Sequence, residues 1–216
     1  MPLKIDVPFK DKDEAKARGA FWEAELKTWY VPNHKKYDDF LQWINSDDFS
    51  IIAQTPFYIA KNQRKCWRCS ELTTVVSLAS NRFFELDYLN EGGNDEAIAW
   101  FPQNYFTFFS SPTYINKETI DLISQKFPFY KLGFSKTING KYWANHCEKC
   151  NSLQGDFFNH NEPGGAFSPM SIEECQQITL MEVPAKFDLA IQAGTGWSSL
   201  NEEIIELSKR VKWDDI

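Results

Sequence analysis

Cys66-Trp67-Arg68-Cys69 and Cys147-Glu148-Lys149-Cys150 are the two stretches that decide how this chain is built. In each, two residues separate the cysteines, a spacing that lets both thiolates of one turn reach a single tetrahedral zinc ion, and two such turns complete a closed shell. The 77 residues 70 to 146 lie between the pairs, far more than the roughly 15 to 20 of a compact zinc ribbon. A shared metal would therefore staple two distant segments of a larger, strand-rich domain. Closing so long a loop costs only logarithmically more entropy, while zinc binding can return on the order of 10 kcal/mol. The competing readings are redox dithiols or unrelated buried cysteines. A thioredoxin-like site wants a strand-helix-strand context, and neither pair has one. Four thiolates leave no position for water or substrate, so one structural Zn2+ per chain is expected, and it points away from catalysis.

The rest of the composition sets the frame for that site. A chain of 216 residues can bury a real core without help from a metal. No apolar run approaches the roughly 18 residues needed to cross a bilayer, and the start Met-Pro-Leu-Lys-Ile-Asp lacks the apolar stretch of a secretion signal. A cytoplasmic protein with no membrane partner is expected. In a reducing compartment the paired cysteines read as metal ligands or redox thiols before disulfides, and the fifth, Cys175, reads as a small buried apolar residue. The formal net charge of −7 disfavours a surface that grips duplex DNA through its phosphates. It permits a basic protein partner, or a local basic patch on an acidic body.

Working outward, Tyr130 to Thr137 pairs with Tyr142 to His146 across an Asn139-Gly140 turn, a hairpin that delivers the second cysteine pair just after a strand. Asn116 is placed to cap a helix over 117 to 126. Ile51 to Ile59, Thr73 to Leu78 and Arg82 to Leu89 carry strand-like residues, and Glu91-Gly92-Gly93-Asn94 breaks the pattern. Ser199 and Glu202 form a capping box for a closing helix striped by Leu200, Ile204, Leu207 and Val211. Gly194-Thr195-Gly196 is too short for a phosphate loop and reads as a turn.

At the other end, Leu3 to Phe9 alternates like a short strand, Asp11 and Glu14 form a capping box, and Gly19 would end the helix that follows. Ala20-Phe21-Trp22 and Thr28-Trp29-Tyr30-Val31 suggest a hairpin closed by Pro32. Residues 35 to 45 resume helical spacing through Tyr37, Phe40, Leu41 and Ile44. Trp22 and Trp29 read as core aromatics or, if exposed, as stacking platforms. Lys12-Asp13-Glu14-Ala15-Lys16-Ala17-Arg18-Gly19-Ala20-Phe21-Trp22 and Lys27-Thr28-Trp29-Tyr30-Val31-Pro32 resemble a small bacterial domain of unknown function that also occurs attached to plasmid primases. Glu23 stands where that pattern has Asp. The resemblance covers the first 45 residues and implies a fold and a company of proteins, with no catalytic residues to carry over. The segment from His146 to Phe158, with Glu162-Pro163-Gly164-Gly165-Ala166-Phe167, also resembles uncharacterised bacterial zinc-ribbon proteins, which supports pairing the two knuckles.

Three further groups of residues carry functional readings. Asp156, His160 and Glu162 are the best enzyme constellation, since a His between carboxylates can serve as general acid or base of a hydrolase or bind a second metal; turn or supporting roles are the plainer reading. Lys61, Arg64, Lys65 and Arg68, with Trp67 among them, mix cations and an aromatic as single-stranded nucleic-acid sites do, or form a solvated strand end beside the knuckle. Glu173, Glu174, Glu202, Glu203, Glu206, Asp214 and Asp215 would face a basic partner. The aromatic runs Phe101 to Phe109 and Phe127 to Tyr130 read as core unless exposed.

The expectation is an α+β protein: a small β-α-β-β-α module at residues 1–47 and a zinc-stapled domain rich in antiparallel strands at 48–216. The first functional reading is a non-enzymatic protein binder, such as a toxin-neutralising immunity protein or a regulator in a bacterial mobile or competition system. A module binding single-stranded nucleic acid is the alternative.

Overall fold

Leu189, Ala190 and Ile191 are all buried, yet the first and third face one core and the second another. The same alternation runs through Ile51-Ile52-Ala53, Tyr58-Ile59-Ala60, Val75-Val76 and Leu180-Met181. Strand side chains alternate with period two, so strands that are apolar at successive positions must be covered on both faces. That requirement organises the whole fold.

The computed structural model describes residues 2–32, 37–88, 98–196, 198 and 200–215. The chain opens with β1 (Leu3–Ile5), a 3-10 turn at Phe9–Asp11, α1 (Lys12–Arg18), β2 (Phe21–Glu23), β3 (Thr28–Val31) and a 3-10 helix at Tyr37–Trp43. β3 lies between β1 and β2, with Leu3 opposite Val31 and Trp22 opposite Trp29. Gly19 takes φ 96°, the left-handed conformation that suits glycine at a helix end. Asp11 sits at the N-cap without making a capping bond; its carboxylate instead accepts the Trp43 indole N–H at 3.4 Å. The helix expected over 35 to 45 is of the tighter 3-10 kind because its buried residues, Tyr37, Phe40 and Trp43, recur every three positions; residues 35 and 36 lie outside those described.

Nine strands form one sheet: β4 (Ile51–Ala53), β5 (Tyr58–Lys65), β6 (Leu72–Ser80), β7 (Phe83–Tyr88), β8 (Ile98–Gln103), β9 (Thr107–Ile115), β13 (Thr179–Glu182), β14 (Leu189–Gly194) and β15 (Lys209–Val211). The spatial order is β15-β13-β5-β6-β9-β14-β4-β7-β8, antiparallel except where β15 joins β13. Between β9 and β13 the chain forms α2 (Lys117–Lys126), a second antiparallel sheet of β10 (Tyr130–Ser135), β11 (Gly140–His146) and β12 (Leu153–Gln154), a π turn at Phe157–Asn161, and α3 (Ile172–Gln177). Helix α4 (Asn201–Leu207) precedes β15.

β9 belongs to both halves of the large sheet. Thr107 to Phe109 pair with β6, and Ser110 to Ile115 pair with β14, with a register shift near Gly194. Ser111, at that register shift, has φ 48°, and its left-handed backbone bends the strand. The two halves therefore share one interior, built from Ile59, Val76, Leu78 and Met181 on one side and Ile51, Phe83, Leu189 and Ile191 on the other, closed by Ile123, Phe127 and Tyr130. The outer face of β4, β8 and β14 packs through Ile52, Trp100 and Ala190 against Leu3, Val31, Phe40 and Trp43, so one core crosses the expected boundary at residue 47. The outer face of β5, β6 and β13 packs against Phe167, Cys175, Ile178 and Ile204.

Several expectations change in detail. Ile51 to Ile59 is two strands, parted at Pro56, which has no N–H for a ladder. The helical stripe ends at Leu207, because Val211 pairs with Met181 in a parallel strand and the Lys209 N–H bonds Ile178 O at 3.0 Å. The turn between β10 and β11 is four residues, Lys136 to Asn139, with Asn139 at φ 50° and Gly140 already opposite Ser135. Phe106, Phe108, Phe109, Phe127 and Tyr130 are core, as is Trp29, whereas Trp22 is half exposed. Leu89, the break at Glu91 to Asn94 and Ser199 of the last capping box lie outside the described residues. Among the described residues no helix is long and apolar enough to cross a membrane.

Candidate metal centre

The first cysteine pair forms the turn of the β5–β6 hairpin, and the second links β11 to β12. The two turns are copies of one another. Cys66 N–H bonds Glu71 O at 2.8 Å and Ser70 N–H bonds Cys66 O at 2.9 Å; Cys147 N–H bonds Ser152 O at 2.9 Å and Asn151 N–H bonds Cys147 O at 2.9 Å. In each, the residue after the second cysteine is left-handed, Ser70 at φ 63° and Asn151 at φ 57°.

These turns aim four sulfurs at one point. Sγ of Cys66 is 3.7 Å from that of Cys150, Sγ of Cys69 is 3.7 Å from that of Cys147, and all four lie within 4.8 Å of one another. A tetrahedron with Zn–S bonds of about 2.3 Å has edges of about 3.8 Å, so the spacing fits a four-thiolate metal site. It is far too wide for a disulfide, whose sulfurs sit about 2 Å apart, and all four cysteines are free. Burial opposes ionisation of Cys66, but the N–H groups of Cys69 and Arg68 outweigh it and bring that thiol down to about 6. Cys69 moves the other way, up to about 12: the Glu71 N–H favours its thiolate, and burial and the neighbouring thiols override that. Four sulfurs this close hold several negative charges together only if a cation is shared among them.

Groups around the sulfurs fix their positions. Gln154 Nε2 and the Arg68 N–H each donate to Cys66 Sγ at 3.4 Å, and the Ser152 hydroxyl lies 3.2 Å from Cys150 Sγ. β9 pairs with β6 only at residues 78 to 80, which leaves the other end of β6 to side chains from the second sheet. Asn145 bonds both the N–H and the C=O of Val76, at 2.8 and 2.9 Å. Glu148 accepts the Thr74 N–H at 2.8 Å, and its own N–H reaches the Thr73 hydroxyl at 3.1 Å.

The basic run does not form one face. Arg64 is half buried and donates to Asn159 Oδ1 at 2.8 Å, while its neighbours Lys61, half buried, and Lys65, exposed, alternate to the opposite side of β5. Trp67 is 65% exposed, and its indole N–H is tied to Leu153 O at 2.8 Å, which holds the ring in place without burying it. Arg68 is exposed beside Ser152. A divalent ion held by four thiolates would carry a charge of roughly −2, which cations beside the knuckles would offset.

Asp156 and His160 come together, and Glu162 does not join them. Asp156 and His160 are both buried, with His160 Nε2 at 3.9 Å from Asp156 Oδ2, beyond hydrogen-bond range. That oxygen accepts the N–H of Ser111, the residue that bends β9. Burial raises the Asp156 carboxyl and lowers the His160 imidazole, each a shift away from the charged form that the attraction between the two partly opposes. His160 borders a pocket of about 110 Å³ walled by Ser110, Ser168 and Asn201 and by Phe108, Phe167 and Ile204, while Glu162 is exposed. Of the candidate acidic face, Glu173, Glu202, Glu206, Asp214 and Asp215 are exposed, and Glu174 and Glu203 are half buried. Cys175 is fully buried on the inner face of α3.

Asn145, Gln154, Ser70, Asn151 and Ser111 escaped the sequence reading. Only the matching positions of Ser70 and Asn151, each directly after a cysteine pair, carried a signal that could have been found.

Residues 3–45 match a family described as "Domain of unknown function (DUF5710)". Two curated proteins, each named DNA primase TraC and each from Escherichia coli, are 46% identical to this chain over 39 residues. The match covers 18% of this chain but only 3% of one primase and 4% of the other. No solved structure matches.

Proposed function

We propose that this chain is a non-enzymatic protein-binding protein whose second sheet is fastened to the main one by a single structural zinc ion at Cys66, Cys69, Cys147 and Cys150. The sulfur spacing of 3.7 Å within each of two opposed pairs carries the metal assignment. Zinc there supplies rigidity, since four thiolates leave it no open coordination position. The fate of the other candidate centre supports the non-enzymatic reading. Asp156 is engaged in holding the bend of β9, and Glu162 stands apart in solvent. A protein partner in a bacterial mobile or competition system, a toxin to be neutralised or a component to be regulated, suits an acidic body of net charge −7.

The exposed Trp67 favours a second reading, an accessory module for single-stranded nucleic acid, and the similarity of residues 3–45 to part of a DNA primase supports it. Elemental analysis of the purified protein, joined to capture from a host lysate with and without nuclease, tests both readings. One zinc per chain and a nuclease-resistant protein partner are expected. Absence of zinc overturns the metal assignment, and nuclease-sensitive capture transfers the function to nucleic acid.

A further inference from the structure

Residues 122 to 147 contain no Asp or Glu, although the chain as a whole carries −7. Lys126, Lys131, Lys136 and Lys141 fall in that stretch, and the last three sit on the β10–β11 hairpin and its turn. Lys126 is spent on Trp213 O and Lys131, although exposed, donates to Asn151 Oδ1 at 2.9 Å; Lys136 and Lys141 are exposed. The same hairpin exposes Leu132 at 48%, Phe134 at 53% and Ile138 at 58%. Leu132 faces Trp143 and Phe134 faces Lys141 across the ladder, so Lys141 shares a face with the two hydrophobes, while Lys131 alternates to the other face.

β10 is also an edge. The small sheet runs β10-β11-β12, and among the described residues no strand pairs with the outer side of β10. His146 N–H bonds Phe129 O at 2.9 Å, which makes Phe129 and His146 a hydrogen-bonded pair in the register that sets Tyr130 opposite Asn145. Hydrogen-bonded pairs alternate with non-bonded ones in an antiparallel ladder. Lys131, Gly133 and Ser135 therefore bond inward to β11, and the N–H and C=O groups of Leu132 and Phe134 point outward. Proteins commonly blunt such an edge with lysine. Two large exposed hydrophobes on it are the opposite of blunting.

We propose that β10 is a docking edge for an extended acidic segment of a partner protein, which adds as a fourth strand beside Leu132 and Phe134 and sets carboxylates near Lys136 and Lys141. The inference rests on the protein-binding reading and supplies the partner's chemistry. The outward backbone groups favour a polypeptide, since a nucleic acid has no ladder to offer. The three lysines disfavour a second copy of the same strand.

The test is selection of phage-displayed random decapeptides on the full-length, zinc-loaded protein, followed by fluorescence polarisation with the selected peptides. Peptides alternating apolar and acidic residues are expected, with affinity falling at least 10-fold in Phe134→Pro, which deletes an outward N–H that β11 does not use. A fall of about 5-fold is expected in the surface double variant Lys136→Glu/Lys141→Glu, in which folding is not at issue. No enrichment, or peptides indifferent to both variants, overturns the proposal. Selected basic peptides overturn it too, while leaving the protein-binding reading intact, because they mark the acidic surface instead. Binding of a dT20 oligonucleotide that is lost in the double variant, or self-association lost in Phe134→Pro, would reassign the edge to nucleic acid or to a second copy.

Discussion

The side chain of Asn145 bonds the N–H and the C=O of Val76 at 2.8 and 2.9 Å, standing in for the strand that β6 lacks at that point. All three groups are buried, so removing the amide strands two backbone groups away from water. Asn145→Ala is expected to cost about 2 to 4 kcal/mol in denaturant unfolding of the zinc-loaded protein. Asn145→Asp keeps the acceptor and loses the donor, and should be no better. A cost under about 0.5 kcal/mol would show that the clip contributes nothing net.

The metal should leave as acid protonates its ligands. The Cys66 thiol, at about 6 in the fold against an ordinary value of 9.0, belongs to a group with depressed folded pKa. Its stabilising contribution is present above pH 9 and is lost as pH falls through about 6. Zinc content measured across a pH series should hold near one per chain at pH 8 and drop below pH 6. Cys147→Ser should retain less than a tenth of the metal, by order of magnitude, since one thiolate of four is gone. Retention of a full equivalent by that variant would sink the four-cysteine site.

Ser70 and Asn151 hold left-handed backbones that cost a side-chain-bearing residue energy and glycine little. Ser70→Gly is expected to raise stability by about 0.5 to 1 kcal/mol. Asn151→Gly should gain less, because Asn tolerates that conformation and its Oδ1 accepts Lys131 Nζ at 2.9 Å. Calorimetry of the two variants side by side checks the ranking.

Asp156 offers a third lever. Burial raises its carboxyl, so the fold favours the protonated form, and that contribution is lost as pH rises through the folded pKa. Asp156→Asn keeps an acceptor for the Ser111 N–H and removes the titration. Its unfolding free energy should therefore be flatter with pH than that of the parent, and equal or higher at pH 8. Asp156→Ala leaves the Ser111 N–H unpaired and should cost about 1 to 3 kcal/mol at every pH. If Asp156→Asn instead abolished a hydrolytic activity while leaving the fold intact, the carboxylate would have a chemical role.

What could be read from the sequence was local. The two-residue cysteine spacing, the alternation that paired Tyr130 onward with Tyr142 onward, and the span of α2 are written in neighbouring residues. What could not be read depends on distant pairing. Leu189-Ala190-Ile191 shows no alternation because both its faces are covered, and the covering groups come from residues 3–45 on one side and the shared interior on the other. The bend at Ser111 has no glycine to announce it and is held by Asp156, 45 positions away. Asn145 and Gln154 look like ordinary polar residues until the fold brings Val76 and Cys66 to them.

With zinc bound, Cys66 and Cys150 would close the 83 residues 67 to 149 into a ring, and strands β6 to β11 lie inside it. Tension applied at the two ends of the chain would then run from residue 66 through the metal to residue 150 and bypass everything between. Under a steady pull the flanking segments would lengthen first. The last stretch, roughly 280 Å of extended chain, would appear only when a zinc–sulfur bond breaks. A metal held there would thereby divide the molecule mechanically, along a line that the boundaries of its sheets do not follow.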